Sequence, residues 1–311
     1  MLVARRQFLL GTGALLLGCN AGVAPAVVSV TRRRVERTLL GMPTTDGAGV
    51  SLKRVIGQPA LRNLDPFLML DRFHSDEPNA YIRGFPDHPH RGFETVTVML
   101  EGRMRHRDSR GNQGLITGGG SQWMTAGRGI VHSEMPEQER GLMSGYQLWV
   151  NLPAREKLCP QFYQDLAPSA LAESPLAGAG RVRVIAGHIN GLAGPVRERP
   201  TDPTLATLVL EDERPFEVDT PPSYTSFLFV GSGEVSVGPE GSESAVSEGN
   251  IAILGAGDRV RLRARSRSDV LLAVGRPLHE PIVQRGPFVM NTEAEIQQAW
   301  ADYRAGVLDK T

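Results

Sequence analysis

Apolar residues in this chain fall into short runs, each bounded by glycine, proline or small polar residues. Phe93-Glu94-Thr95-Val96-Thr97-Val98-Met99-Leu100 is rich in β-branched residues and has the length of a strand. Glu101-Gly102 turns it, and Arg103 to Asp108 then alternates polar and apolar positions. Asp65 to Leu70, Gln122 to Thr125 and Tyr146 to Leu152 read as further strands, whereas 84–92 reads as a loop. Gly127-Arg128-Gly129 makes a tight corner that feeds a strand containing His132. From Val182 the same order returns: strand, glycine turn at Gly233, alternating strand, loop, apolar strand, and the corner Gly255-Ala256-Gly257. The pattern predicts an all-β chain of two tandem barrels, the first over 28–160 and the second over 182–311. Prolines 160, 168 and 175 mark a linker, placed at 161–181. A helix ends the chain, since Thr292 with Glu295 forms a capping-box pattern and Ile296, Trp300, Tyr303 and Val307 share one face. That face is expected to pack on the barrels.

Composition adds constraints. Lys plus Arg equals Asp plus Glu at 34 each over 311 residues, and no basic stripe stands out. A nucleic-acid partner is therefore not expected. Residues 1–27 are set apart as an export signal: Arg5-Arg6 precedes the apolar run Leu9 to Leu17, which resembles a twin-arginine leader and is too short to span a bilayer. Leu16-Leu17-Gly18-Cys19 resembles a lipoprotein processing box, with Cys19 as a lipid anchor, and Ala24-Pro25-Ala26 offers an ordinary cleavage site instead. The expected location is outside the cytosol, periplasmic or membrane-anchored. Cys159 is the only other cysteine, so no intrachain disulfide holds the mature chain.

The candidate chemistry lies in the first unit. His88-Pro89-His90 and His132-Ser133-Glu134 each place two metal-competent side chains two residues apart, hence on one face of a strand. Two such strands facing each other inside a barrel make a site of three histidines and one carboxylate, with His106 left spare. Aligning Gly233 with Gly102 puts the positions of His88 and His90 near Asp219 and Pro221, and aligning the corners puts His132 near Leu262 or Val260. The second barrel is therefore expected to hold no metal. Three imidazoles and a carboxylate suit Fe(II), Mn(II), Ni(II) or Cu(II), and Zn(II) in a closed structural role.

These residues also carry a resemblance. Asp87-His88-Pro89-His90-Arg91-Gly92-Phe93-Glu94-Thr95-Val96 and the run from Gln122 to Pro136 resemble signatures of the pirins, members of the cupin superfamily. Gln147 to Leu152 and Gly286 to Thr292 resemble later segments of that family, so the likeness spans about 48 to 304. It implies two tandem jelly-roll-like cupin barrels, with iron held in the first by His88, His90, His132 and Glu134. Cupins often use a glutamate shortly after the first histidine pair, which leaves Glu94 as a candidate to support the ligands from behind. The resemblance further implies a dioxygenase that cleaves quercetin-type flavonols or related enolic phenols with O2, Glu134 taking the substrate proton. Phe85, Met99 and Trp123 are candidate pocket residues, with core packing the plainer role for each. The competing expectation is a non-enzymatic iron protein whose redox state changes its surface for a partner.

Overall fold

The computed structural model describes residues 30–176 and 180–310; the expected export signal, with Cys19, lies outside them. The β-branched runs form the middle of a seven-stranded antiparallel sheet in the order Phe162–Leu166, Ser121–Thr125, Phe93–Glu101, Met143–Asn151, Phe67–Ser75, Val50–Ile56 and Met42–Asp46. A four-stranded sheet, Phe85–His90, Ile130–Pro136, Arg103–Asp108 and Gln113–Thr117, completes the first barrel. The second barrel repeats the seven-plus-four plan: Phe216–Asp219, Arg259–Ala264, Glu234–Val237 and Ser244–Ser247 form its smaller sheet. The two large sheets pack face to face. Val96, Val98, Trp123 and Tyr146 from one meet Leu205, Phe227, Phe229 and Leu271 from the other in a single apolar cluster. The architecture is thus the expected pair of barrels, and the repeat seen in the sequence is a repeat of topology.

Two local expectations change. Residues 84–92 are not a loop, because Phe85–His90 is a strand despite Pro86 and Pro89. It lies at the edge of its sheet, where one side of the backbone needs no ladder donor, so proline is tolerated. The stretch 161–181 is also mostly strand. Phe162–Leu166 pairs with Ser121–Thr125 of the first barrel, and Ala172–Leu176 pairs with Gly180–Ala186 of the second. Pro168 starts the short 3-10 turn Pro168–Ala170 between them, and Pro175 sits on an edge strand.

The chain ends are exchanged. Val35–Leu40, in sequence the start of the first barrel, pairs with Asn250–Leu254 in the second. The guanidinium of Arg33, buried there, donates to Thr220 Oγ1 and to the carbonyls of Gly255 and Pro221 at 2.6–2.8 Å. Conversely, the helix Glu293–Arg304, capped by Thr292 and Glu295 as expected, buries Ile296 in a cluster with Phe288 and Leu308 against Val131 of the first barrel. Corner glycines admit these tails. A Cβ on Gly129 (φ +148°) would lie 2.3 Å from the Leu308 carbonyl, and one on Gly257 (φ +149°) 2.6 Å from that of Thr31.

Candidate metal centre

The two histidine motifs lie on neighbouring strands of one sheet rather than on facing strands. Phe85–His90 and Ile130–Pro136 pair antiparallel with His132 opposite His88 and Ile130 opposite His90. Two-residue periodicity then turns all three imidazoles to the barrel interior. Their ring centroids are 4.3 Å (His88–His132), 4.7 Å (His88–His90) and 4.9 Å (His90–His132) apart, and their ligand nitrogens lie within 4.8 Å of one another. His90 and His132 are buried, and His88 is half-buried.

Each ring has one nitrogen engaged. His88 Nδ1 lies 2.8 Å from the Pro86 carbonyl and His90 Nδ1 3.3 Å from the Pro287 carbonyl. A carbonyl only accepts, so each Nδ1 carries the proton and each Nε2 keeps a free lone pair. His132 Nε2 is buried with no hydrogen-bond partner. A buried orphan nitrogen beside two bare ones fits a metal ion better than it fits a packed core. Burial, reinforced by His88 beside them, holds the pKa of His90 and of His132 well below the usual imidazole value, so both rings are neutral at pH 7, the form that could bind a metal. Phe93 and Trp149 flank His90, each at 5.0 Å between centroids, and fix its plane.

Glu134 lies deep in the same barrel but outside the three-histidine group. The edge strand bulges between His88 and Phe85, so Glu134 stands opposite Phe85. Thr97 Oγ1 is 2.8 Å from Glu134 Oε1, and Gln147 Nε2 donates to Oε2 at 2.9 Å. Thr97 has one proton and also lies 2.7 Å from Gln147 Oε1, so it serves one acceptor at a time. Across the large sheet, Arg54, Asp71, Gln147, Thr97 and Gln122 stand in register as one polar row. Arg54 grips Asp71 with two bonds of 2.9 and 2.7 Å. A cleft of about 1010 Å3 opens over this row, with His88, His90, Glu134, Phe85 and Trp149 among its walls.

Among the sequence-level candidates, Phe85 lines this cleft. Met99 and Trp123 are instead core residues. Glu94 does not support the metal ligands. Strand alternation turns it from the interior that Thr97 faces toward the other barrel, where it is buried, accepts from Thr125 Oγ1 at 2.7 Å and pairs with Arg199 at 3.2 Å.

His106 is not spare. Its Nδ1 lies 3.5 Å from His132 Nδ1 and its Nε2 3.2 Å from Asp108 Oδ2. Burial raises the Asp108 carboxyl, but hydrogen bonds from His106 and Asn112 outweigh it and hold the group below its usual value. The alternation of Arg103 to Asp108 could have placed His106 and Asp108 on one face. Nothing in the sequence pointed to Thr97, Gln147 or Pro287.

Among the described residues, the second barrel has no counterpart. Phe216–Asp219 pairs with Arg259–Ala264 so that Val218 faces Val260 and Phe216 faces Leu262. The shared corner glycines equate Val260 with His132 and Leu262 with Glu134, and the pairing then equates Val218 with His88. Thr220, whose amide donates to Asp258, takes the place of His90. The expected placements at Asp219 and Pro221 are each one residue late, which in a strand means the opposite face.

Comparison with known proteins shows the family and the fold. The family model described as Pirin matches residues 49–150, and that of the Pirin C-terminal cupin domain matches 205–309. A Pseudomonas aeruginosa protein with the provisional name quercetin 2,3-dioxygenase is 50% identical over 86% of this chain and 95% of its own length. Human pirin is 42% identical over 88% of this chain and 92% of its own. The crystal structure of a quercetin 2,3-dioxygenase from Acinetobacter baumannii superposes with a TM-score of 0.82 at 31% identity, covering 89% of this chain and 98% of that one.

Proposed function

The chain belongs to the pirin family, and from that premise we propose that it is a metal-dependent dioxygenase acting on quercetin-type flavonols or related enolic phenols, with Fe(II) at His88, His90 and His132. One observation carries the proposal: three imidazoles, with ligand nitrogens within 4.8 Å of one another, lie beside a cleft large enough for a flavonol. The names of the Pseudomonas and Acinetobacter proteins support the substrate class. Iron is favoured among Fe, Mn, Ni, Cu and Zn by the family resemblance, since imidazole and carboxylate ligands accept all five.

A bound iron ion would accept the flavonol's 3-hydroxyl and 4-keto oxygens as a chelate and bring O2 to the same centre. The chain's own residues do the rest. Phe85 and Trp149 supply apolar walls for the aromatic rings, while Arg54 and Asp71 line the polar side. Glu134, although outside the three-histidine group, would be the fourth ligand and, once loosened from the metal, would take the substrate proton. Thr97 and Gln147 hold its carboxylate beside the site as an acceptor, placed to receive the 3-hydroxyl proton. An open cleft over the imidazoles favours this reading over an iron protein that only signals through its surface.

The test is oxygen uptake by the iron-loaded protein with a 3-hydroxyflavone and with its 3-deoxy analogue. Uptake with the first alone is expected, and none with any flavonol or enediol at full metal loading rejects the proposal. Glu134→Ala should lower the rate per bound iron, beyond its loss of metal. The leader is part of the same proposal: Arg5-Arg6 and the Leu9 to Leu17 run support export in folded form, already loaded with metal. Arg5→Lys with Arg6→Lys should keep the protein in the cytosol. Fatty-acid labelling with and without Cys19→Ala decides the lipid anchor.

A further inference from the structure

We propose that Asp108 and His106 set the tautomer of His132, and so decide that its Nε2 is the nitrogen offered to the metal; this rests on the metal reading above. Both side chains are wholly buried. The ring of Tyr163, 4.8 Å from that of His106 and tilted by 34°, fixes the orientation of the imidazole between its partners. Only one proton fits between His106 Nδ1 and His132 Nδ1, at 3.5 Å, and the far end of the chain decides which ring owns it. Asp108 can only accept, so His106 must present Nε2–H to it across 3.2 Å. A neutral His106 then has a bare Nδ1, His132 must donate its own Nδ1–H, and His132 Nε2 is left unprotonated. This is the metal–histidine–carboxylate arrangement with a second histidine inserted. His106 and Asp108 are positioning residues, since neither is in the three-histidine group.

Asparagine at 108 should reverse the relay, because the surroundings dictate how it sits. Asp108 Oδ1 accepts the backbone N–H groups of Arg110 and Asn112 at 2.9 and 3.0 Å. Oδ2 accepts from His106 and also from the side-chain amide of Asn112 at 2.8 Å. An asparagine keeps its oxygen on the two backbone donors and turns its NH2 to the place of Oδ2, where the Asn112 amide flips to offer its oxygen and His106 Nε2 is left facing a donor. His106 must then accept on Nε2 and donate from Nδ1, which pushes the proton of His132 onto Nε2, where it blocks the metal.

The measurement is long-range 1H–15N correlation of histidine rings in the metal-free protein, followed by titration with Ni(II). Wild type should show His132 as the Nδ1–H form. Asp108→Asn should show both rings reversed and Ni(II) binding weakened about 10- to 100-fold. His106→Gln, which can still accept from His132 and donate to Asp108, should retain the wild-type tautomer of His132 and bind Ni(II) within a few-fold. This rescue also stands if Asp108→Asn fails to fold. An Nε2–H form of His132 in wild type, an unchanged tautomer in folded Asp108→Asn, or a reversed one in His106→Gln overturns the relay. If wild-type His132 has the expected tautomer but Ni(II) leaves the three histidine signals unmoved, the metal reading fails and the relay survives.

Discussion

Where the first barrel pairs His88 with His132, the second pairs Val218 with Val260, and where the first holds Glu134 the second holds Leu262. The strand plans match, yet the interiors diverge. Val182, Phe216, Leu228, Val260 and Leu262 belong to one continuous apolar cluster inside the second barrel. The first barrel keeps a smaller apolar cluster around Phe73, Met99 and Met104, and gives the remaining space to a cleft and a row of polar side chains. The difference is not a matter of four residues alone. A buried carboxylate or imidazole is tolerated only with partners, and the first barrel supplies Thr97, Gln147, His106 and the Pro287 carbonyl. The second barrel is the same frame relieved of that requirement.

Exchanging single residues between the two interiors is the sharpest way to break this contrast. Leu262→Glu places a carboxylate where nothing donates to it, and should destabilise the protein by about 3–5 kcal/mol in urea unfolding. The reciprocal Glu134→Leu, measured without metal, should cost less than about 2 kcal/mol, since it removes a buried polar group whose two donors can satisfy part of their need elsewhere. Equal costs would mean that the two interiors are not different in kind.

Ligand removal comes next in size. His132→Ala should lower metal affinity by about 100-fold or more, equivalent to about 2.7 kcal/mol, in metal-limited elemental analysis or titration. Val260→Ala at the matching place should leave metal content unchanged. Acid gives the smallest effect. The native rings of His90 and His132 resist protonation, while the unfolded chain takes up protons near the ordinary imidazole value of 6.5. Stability of the metal-free protein should therefore be complete above that pH and fall as pH drops below it. Saturating metal should reduce the loss, and a pH-independent apo protein would contradict the buried neutral rings.

What the sequence disclosed follows the range of the interactions. His88, His90 and His132 were legible because strand alternation is local, and a spacing of two fixes a shared face. The match of His132 with Val260 was among the readings because each lies three residues beyond its corner glycine. Counting back to His88 crossed loops of different lengths, and the slip of one residue moved it from Val218 to Asp219. Glu94 misled because its neighbours on the strand say nothing about which barrel each face meets; Arg199, 105 residues away, decides that. Pro287, 197 residues from His90, was beyond any local pattern.

The exchanged ends have a consequence in time. During synthesis the strands of the first barrel are complete once residue 166 has emerged, yet the barrel is not finished. Arg91, next to His90, waits for Asp302 and the Leu308 carbonyl, and the ammonium of Lys157 waits for the carbonyl of Val289 to join those of Gly92 and the Asn151 side chain. His90 itself waits for Pro287. A chain still on the ribosome thus has its histidines in hand but not the contacts that orient them. The second barrel, whose edge strand Val35–Leu40 was made first, has its partner ready from the start. The half that carries the three-histidine group is the half whose contacts are completed last, so any ion that this group could hold would meet its oriented rings only when synthesis is nearly done.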